Sequence, residues 1–284
     1  MKSNVVIRTL SGLVYIGVMV GCLVGGQNTY CVLFALITAI LLNEFNTLLS
    51  EHNIAQVNNT ISIVSGVYLF LAFYLYCSNM LGGVVFVPYV ISLMFVLVSG
   101  LYTKQEKPIA TWAYSFAGQL FVALPVSLMS VLAFNEIYDH TLPLALFVFL
   151  WLNDTGAYCF GSTLGKKIPY KLFPSVSPKK SWIGSIGGGL TVLLGAACFW
   201  CLCDNGSLLF WLGLGLTVCV FGTWGDLVES QFKRQLGIKD SGKFMPGHGG
   251  ALDRFDSGLL AIPAAVVYVG LVNNSFICLR YMYA

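Results

Sequence analysis

The residues with the clearest chemical potential gather in one segment, which runs from Ser230 to Asp256. Its basic side chains could bind phosphates, and they include Lys233, Arg234, Lys239 and Arg254. Two glycines, Gly249 and Gly250, could let successive backbone N–H groups point at one anion. Phosphoryl and nucleotidyl transfer need such cations and N–H groups, because their transition state spreads negative charge over oxygens. The segment therefore predicts a phosphate-binding site.

Carboxylates flank the same segment at helical spacing. Asp226 and Glu229 share one helix face with Ser230, while Asp253 and Asp256 stand three residues apart at the start of the last apolar run. Oxygen ligands of this kind suit magnesium, which usually keeps one or two protein carboxylates, several waters and substrate phosphates. Asp226 and Asp253, from two different helices, could hold one or two metal ions between them.

One alternative stays open for this segment, and so does the role of His248. A solvated basic loop would account for the lysines, because cytosolic loops of membrane proteins are rich in basic residues. It would not account for the Gly-His-Gly-Gly run of residues 247–250 or for the spaced aspartates. His248 could donate to a phosphate, act as an acid or base, or simply order the loop.

The composition places this chemistry in a membrane protein. Of the 284 residues, 57% are hydrophobic and only 10% are charged, whereas a soluble chain has about 25% charged residues. A helix needs about 20 apolar residues to cross the bilayer. We therefore expect an all-α, polytopic fold of about nine transmembrane helices, in one membrane domain over residues 1–284. The predicted spans are residues 9–26, 30–49, 61–78, 80–101, 111–134, 142–163, 181–203, 207–228 and 257–279.

The basic residues predict the orientation. With the N-terminus in the cytosol, every Lys and Arg except Arg280 falls in a cytosolic segment, as the positive-inside rule favours. Two cytosolic loops are then long, about residues 164–180 and 229–256. Acids inside membrane spans are costly and usually functional. Four of them lie toward the cytosolic ends of their spans, namely Glu44, Asp154, Asp226 and Glu229; for Glu44, a helix-end acid that reaches water is an equal alternative.

The order of residues from Ser230 to Asp256, S-x-F-K-R-x4-K-D-x-G-x3-P-x-H-G-G-x2-D-R-F-D, resembles the signature of the CDP-diacylglycerol synthases, or phosphatidate cytidylyltransferases. The stretches that begin at Asp154 and at Ser177 resemble further segments of that family, as does the pair Glu44-Phe45. Ile183 departs from the pattern, since the family commonly has Glu there. Residues before about 140 otherwise match as a hydropathy pattern only, so the catalytic half is expected from about residue 141 onward.

The resemblance implies a reaction in which CTP and phosphatidic acid give CDP-diacylglycerol and pyrophosphate, with Mg²⁺ as cofactor and a second cation as an open alternative. It implies a cytosol-facing site in a bacterial cytoplasmic membrane, membrane lipid as a partner, no nucleic acid, and a homodimer as an open alternative. The expected catalytic residues are Asp226, Asp253, Lys239 and His248. The expected substrate contacts are Ser230, Lys233, Arg234, Gly249, Gly250, Arg254, Lys179 and Lys180. The expected metal ligands are Asp226, Asp253, Asp256 and Asp154.

Two other functions remain as alternatives. A CTP-dependent polyprenol or phytol kinase would also use CTP and a lipid, but it would transfer a phosphoryl group to an alcohol, and that acceptor would need a general base. An ion-coupled transporter could carry buried acids as well, although transporters usually place such acids near the bilayer midplane and often show repeats. The sequence shows no internal repeat, and its acids gather toward one face.

Overall fold

The computed structural model describes residues 2–102, 106–165, 170–203, 206–242 and 249–272, with side chains from residue 9 onward. The described chain is almost entirely helical. The helices are α1 (Lys2–Val24), α2 (Gln27–Glu51), α3 (Asn59–Cys77), α4 (Val87–Tyr102), α5 (Pro108–Gly118), α6 (Leu124–Ala133), α7 (Thr141–Leu164), α8 (Trp182–Leu202), α9 (Leu208–Gln235) and α10 (Leu252–Val272). A 3-10 turn, Gly83–Phe86, leads into α4, and a π-helical turn, Gln119–Ala123, joins α5 to α6.

Helix length and composition confirm the expected all-α membrane fold. In the described ranges, 8 helical segments are long and apolar enough to cross a bilayer, with α5 and α6 counted as one continuous segment. Helix α1 adds a shorter apolar stretch, Thr9–Val24. Each predicted span overlaps a helix, although residues 273–279 of the last span lie outside the described residues. The protein is an integral membrane protein.

In the described ranges, short antiparallel hairpins interrupt the helices at two places. Strands β1 (Phe134–Asn135) and β2 (Ile137–Tyr138) form one, and β3 (Lys171–Phe173) and β4 (Ser177–Ser181) form the other. The second hairpin occupies much of the region predicted as a long loop over 164–180. Its backbone pairing fixes where Lys179 and Lys180 lie along β4.

The ends of α9 and α10 correct the predicted spans around the signature segment. Helix α9 continues to Gln235 rather than stopping at 228, because Lys233 and Arg234 in its last turn suit the negative end of the helix dipole. It ends in a Schellman motif, in which Gly237 at φ 71° donates to the Arg234 carbonyl and Ile238 to that of Lys233. Helix α10 begins at Leu252 rather than 257, with Asp253 in its first turn. The predicted loop 229–256 is therefore much shorter.

The chain forms two compact units. The first comprises Met1–His140 and Asp240–Arg254, and the second Thr141–Lys239 and Phe255–Ala284. Helices α2, α3 and α6 pack together in the first unit around buried aromatic rings, with Tyr30 in hydrogen-bond contact with Ser130 at 3.1 Å. The signature segment contributes residues to each unit.

Glycines allow the helices of the second unit to approach closely. A Cβ atom at Gly188 of α8 would lie 2.8 Å from the Asn153 carbonyl oxygen of α7, and one at Gly156 would lie 2.9 Å from the Gly187 carbonyl oxygen. Helix α8 also packs against α9. Small residues at such positions are the usual means of close helix packing in membranes, and here they set the spacing between α8 and α7, the helix that carries Asp154.

Candidate functional site

In the first unit, two carboxylates bind backbone N–H groups of the signature segment. Glu44 of α2 accepts hydrogen bonds from Ala251 N at 2.8 Å, from Leu252 N at 3.1 Å and from the Ser241 hydroxyl. Asp253 Oδ2 accepts from Ser241 N at 3.0 Å and from Gly250 N at 2.8 Å. Four residues, Ser241, Gly250, Ala251 and Leu252, thus donate hydrogen bonds to acids of the protein itself.

Glycines make room for these carboxylates. A side chain at Gly250 would overlap the Glu44 carboxylate, and one at Gly249, whose φ is +88°, would overlap Asp253 Oδ2. A Cβ atom at Gly242 would lie 3.1 Å from Glu44 Cδ. The cluster of backbone N–H groups predicted for a phosphate holds protein carboxylates in this structure. The substrate roles of Gly249 and Gly250 stay predictions.

In the second unit, Asp226 stands at the centre of a polar group on α9. Its Oδ2 lies 2.7 Å from Lys180 Nζ, and its Oδ1 accepts from the Ser230 hydroxyl at 3.1 Å. The shared helix face predicted for Asp226 and Ser230 is confirmed. Lys180 extends from β4, and its side chain and that of Asp226 are about one quarter exposed. The hairpin therefore places Lys180, a predicted phosphate ligand, beside Asp226, a predicted metal ligand.

One turn further along α9, Glu229 and Lys233 form a buried ion pair. The side chain of Glu229 has no exposed surface, and that of Lys233 is 10% exposed. A buried acid is tolerated only when a cation or hydrogen bonds compensate its lost hydration. Lys233 serves that need here, and its predicted phosphate contact stays a prediction.

Four acids of the second unit, Asp154, Asp226, Glu229 and Asp256, form what we name the acid cluster. The charges of the other three act on the partly buried carboxyl of Asp256. The ion pairs to Lys180 and Lys233 balance Asp226 and Glu229. Because like charges repel, a cation bound among these acids would lower their mutual repulsion.

The donor set fits magnesium, the ion that the resemblance implies. Magnesium prefers carboxylate oxygens and usually takes only one or two from the protein, with water and substrate phosphates completing its shell. Within the ranges that the structure describes, no three His, Cys, Asp or Glu side chains lie close enough to hold a metal by themselves. The acid cluster is therefore suited to a cation bound together with phosphates rather than to a closed metal site.

The remaining predicted residues are solvent-accessible or lie outside the described ranges. Exposed side chains belong to Asp154, Lys179, Arg234, Lys239 and Arg254. Of these, Arg234 donates to the Ile238 carbonyl at 3.1 Å, across the end of α9. His248 lies outside the described residues, and its role stays a prediction.

Comparison with known proteins covers almost the whole chain. The sequence model of the Cytidylyltransferase family matches residues 6–272. The chain belongs to this family. A phosphatidate cytidylyltransferase of Staphylococcus aureus (strain COL) is 32% identical over 262 residues, which are 90% of this chain and 96% of the relative. The protein of the same name from Staphylococcus haemolyticus is 33% identical over 263 residues, with the same two coverages.

For this cytidylyltransferase-family chain, sequence reasoning missed the contacts of Glu44 and Ser241. Glu44 stood out as an acid in an apolar run, but its partners Ala251 and Leu252 lie 207 and 208 residues away. No local spacing can reveal such a contact. The available signal was that an acid inside a membrane span must find compensating donors, and the N–H groups of Ala251 and Leu252, together with the Ser241 hydroxyl, supply them.

Proposed function

We propose that the protein transfers the cytidylyl group of CTP to phosphatidic acid, forming CDP-diacylglycerol and releasing pyrophosphate. The observation that carries this proposal is the similarity to proteins named phosphatidate cytidylyltransferase over 90% of the chain. The signature from Ser230 to Asp256 lies inside that range, with basic, glycine and aspartate positions all present. The 40% identity with the Staphylococcus epidermidis protein of that name, over 179 residues, supports the same activity.

The chemistry of this transfer fits the residues. A phosphate oxygen of phosphatidic acid attacks the α-phosphorus of CTP, a new P–O bond forms, and the bond to the β-phosphate oxygen breaks. The attacking oxygen is already anionic near neutral pH, so no strong general base is needed. The main task is to bring two polyanions together, which cations achieve by positioning and charge neutralisation.

Lys180 is the cation best placed for that task. Its ammonium group is held beside Asp226, and it is exposed enough to meet a phosphate. Lys179 on the same strand and the exposed Arg234 and Lys239 supply further positive charge around the second unit. We expect pyrophosphate to leave toward these basic residues.

The acid cluster is the proposed magnesium site. Asp226 would hold the ion with its partly exposed carboxylate, and Asp256 and Asp154 would contribute charge or direct oxygens. When bound, Mg²⁺ would neutralise phosphate charge and fix the orientation of the triphosphate. Asp253 remains a proposed ligand through a carboxylate that also accepts two backbone hydrogen bonds.

We further propose that the reaction occurs at the cytosolic face of a bacterial cytoplasmic membrane. The distribution of Lys and Arg supports a cytosolic N-terminus, because all but Arg280 then lie on the cytosolic side. The relatives come from bacteria. The acyl chains of both lipids stay in the bilayer while their phosphates meet CTP at its surface.

The decisive experiment uses the purified full chain in detergent with CTP, phosphatidic acid and Mg²⁺. Labelling CTP at the α-phosphate should give labelled CDP-diacylglycerol, and labelling at the γ-phosphate should give labelled pyrophosphate. In a parallel incubation with a polyprenol as acceptor, a phosphorylated lipid together with CDP would instead identify a kinase. Ion flux in liposomes that persists without CTP turnover, with no lipid product, would identify a transporter. An Asp226→Asn sample prepared in parallel controls for contaminating activity.

A further inference from the structure

Glu44 makes contacts that the proposed chemistry does not use. It lies near the end of α2, yet its three hydrogen-bond donors among the described residues belong to the signature segment. The Ser241 hydroxyl binds one side of the carboxylate, and the N–H groups of Ala251 and Leu252 bind it from the start of α10. One side chain thus joins the two described ends of the segment that runs from Ser241 to Leu252.

The first N–H groups of a helix have no partner within the helix, and a negative charge there is favoured by the helix dipole. Glu44 therefore acts as a cap for α10, supplied from a distant part of the chain. Asp253 completes the arrangement, since its Oδ2 accepts from Ser241 N and Gly250 N. Because Asp253 lies in the first turn of α10, whatever fixes that turn also fixes this carboxylate.

The glycines indicate that the arrangement is built for close contact. A Cβ atom at Gly250 would overlap the Glu44 carboxylate, and one at Gly242 would lie 3.1 Å from Glu44 Cδ. The backbone therefore approaches Glu44 more closely than any other residue type would allow. Ser241, Gly250, Ala251 and Leu252 are all buried at this contact.

We propose that Glu44 is a positioning residue for the cytidylyl transfer proposed above, on which this inference rests. Its carboxylate, with Ser241, Gly250, Ala251 and Leu252, forms a loop clamp that fixes the start of α10 and the orientation of Asp253. Glu44 acts through these groups and not on the reacting atoms. Its removal should therefore lower the rate of the chemical step more than it weakens the binding of CTP.

Hydrogen exchange on the full chain in detergent tests the loop clamp directly. In Glu44→Ala, peptides that contain Ser241 and Gly250 to Leu252 should exchange about tenfold faster, because their amides lose a buried acceptor. Glu51→Gln is the matched control, since Glu51 is an exposed acid at the end of the same helix. It should leave this exchange unchanged. Unaltered exchange of these peptides in Glu44→Ala would overturn the loop clamp.

Kinetics separate positioning from a merely structural role. Glu44→Ala should lower kcat about tenfold or more, because small displacements of a catalytic group are costly, and KM for CTP should stay within about threefold. Glu44→Gln keeps the shape and one acceptor and should recover part of kcat, which also covers the case that the alanine variant does not fold. An unchanged kcat in folded Glu44→Gln and Glu44→Ala overturns the positioning role.

A double-variant cycle provides an independent check. Gly250→Ala should speed exchange and lower kcat in the wild-type background, where the new methyl group would overlap Glu44. In the Glu44→Ala background, Gly250→Ala should change exchange and kcat less, because the carboxylate is gone. If the effects of the two substitutions were strictly additive, the contact between Gly250 and Glu44 would be contradicted. If the wild type forms no CDP-diacylglycerol, the proposed function fails, while the exchange measurements still decide the loop clamp.

Discussion

The loop clamp of the first unit and the acid cluster of the second use the same side-chain type in opposite ways. In the loop clamp, Glu44 accepts hydrogen bonds from backbone N–H groups at the start of α10, and Asp253 accepts from the backbone N–H of Ser241. In the acid cluster, Asp226 is balanced by the ammonium group of Lys180, a long side chain that is partly exposed. The difference teaches that a carboxylate held by backbone is fixed, whereas one held by a flexible cation can exchange its partner.

The largest effect should follow from Asp226→Asn. The substitution keeps the size of the side chain and an acceptor for the Ser230 hydroxyl, but it removes the charge that would hold a metal. We expect kcat/KM to fall about a thousandfold, which corresponds to about 4 kcal/mol. The measurement is CDP-diacylglycerol formation over a range of Mg²⁺ concentrations.

The thermal midpoint of Asp226→Asn should stay close to that of the wild type, because the acid cluster loses repulsion as well as an ion pair. Activity near the wild-type level would remove Asp226 from the site. A large loss of thermal stability would mean that Asp226 is a structural acid of the same kind as those in the loop clamp, and the contrast between the two regions would fail.

A second prediction asks whether Lys233 is fixed to Glu229 or can exchange its partner as Lys180 can. Lys233→Met should lower the free energy of unfolding by about 3 kcal/mol, because it leaves a buried acid without its cation. Adding Glu229→Gln to this variant should restore most of the stability. Thermal unfolding in detergent measures both, with the exposed Lys179→Met as control.

A Lys233→Met variant with wild-type stability would show that this lysine is not needed to compensate Glu229. If it also lost CTP binding, Lys233 would belong with the exchangeable cations and the predicted phosphate contact would be supported. If Lys233→Met lost stability but still bound CTP, the Glu229–Lys233 pair would be as fixed as the contacts of the loop clamp.

Close helix packing should matter more to the acid cluster than to the loop clamp. A Cβ atom at Gly225 of α9 would lie 2.5 Å from the Asp256 carbonyl oxygen and 3.0 Å from that of Ser257. Gly225→Ala should therefore cost about 2 kcal/mol of stability through overpacking, and it should also reduce activity by moving Asp226 relative to Asp256. Thermal unfolding and the CDP-diacylglycerol assay measure the two effects.

Gly258→Ala is the matched control for this change, since a Cβ atom there finds its nearest neighbours at 3.8 and 4.0 Å. It should be neutral or slightly stabilising, because alanine favours helix more than glycine does. Equal behaviour of the two variants would contradict the view that backbone contact sets the spacing of the acid cluster.

Much of this arrangement could be predicted from local sequence. The apolar runs predict the helices because the length of a span is set by the bilayer, and the spacing of Asp226 and Ser230 predicts the contact between them because both lie on one helix. The ends of α9 and α10 could not be read in this way. Hydropathy measures preference for lipid, so it stopped at the charged residues, whereas the helix itself continues to Gln235.

The contacts that define the two regions are long-range and escaped prediction for that reason. Glu44 meets Ala251 across 207 residues, and Lys180 reaches Asp226 only because a hairpin and a helix pack in the same unit. The glycines were predicted to form an anion site, and backbone N–H groups do converge there. Sequence could not say that the anion would be a carboxylate of the protein itself.

The smallest effect on stability should come from Lys180→Met, and it sharpens the comparison most directly. The pair with Asp226 is about one quarter exposed on both sides, so its loss should cost no more than about 1 kcal/mol. Thermal unfolding should thus change little.

KM for CTP should rise up to about fivefold in Lys180→Met, because a phosphate ligand is lost. The Mg²⁺ concentration for half-maximal activity should fall instead, because the ammonium group no longer competes for Asp226. A variant that unfolds, or one in which both constants rise together, would mean that Lys180 holds Asp226 as firmly as the backbone holds Glu44.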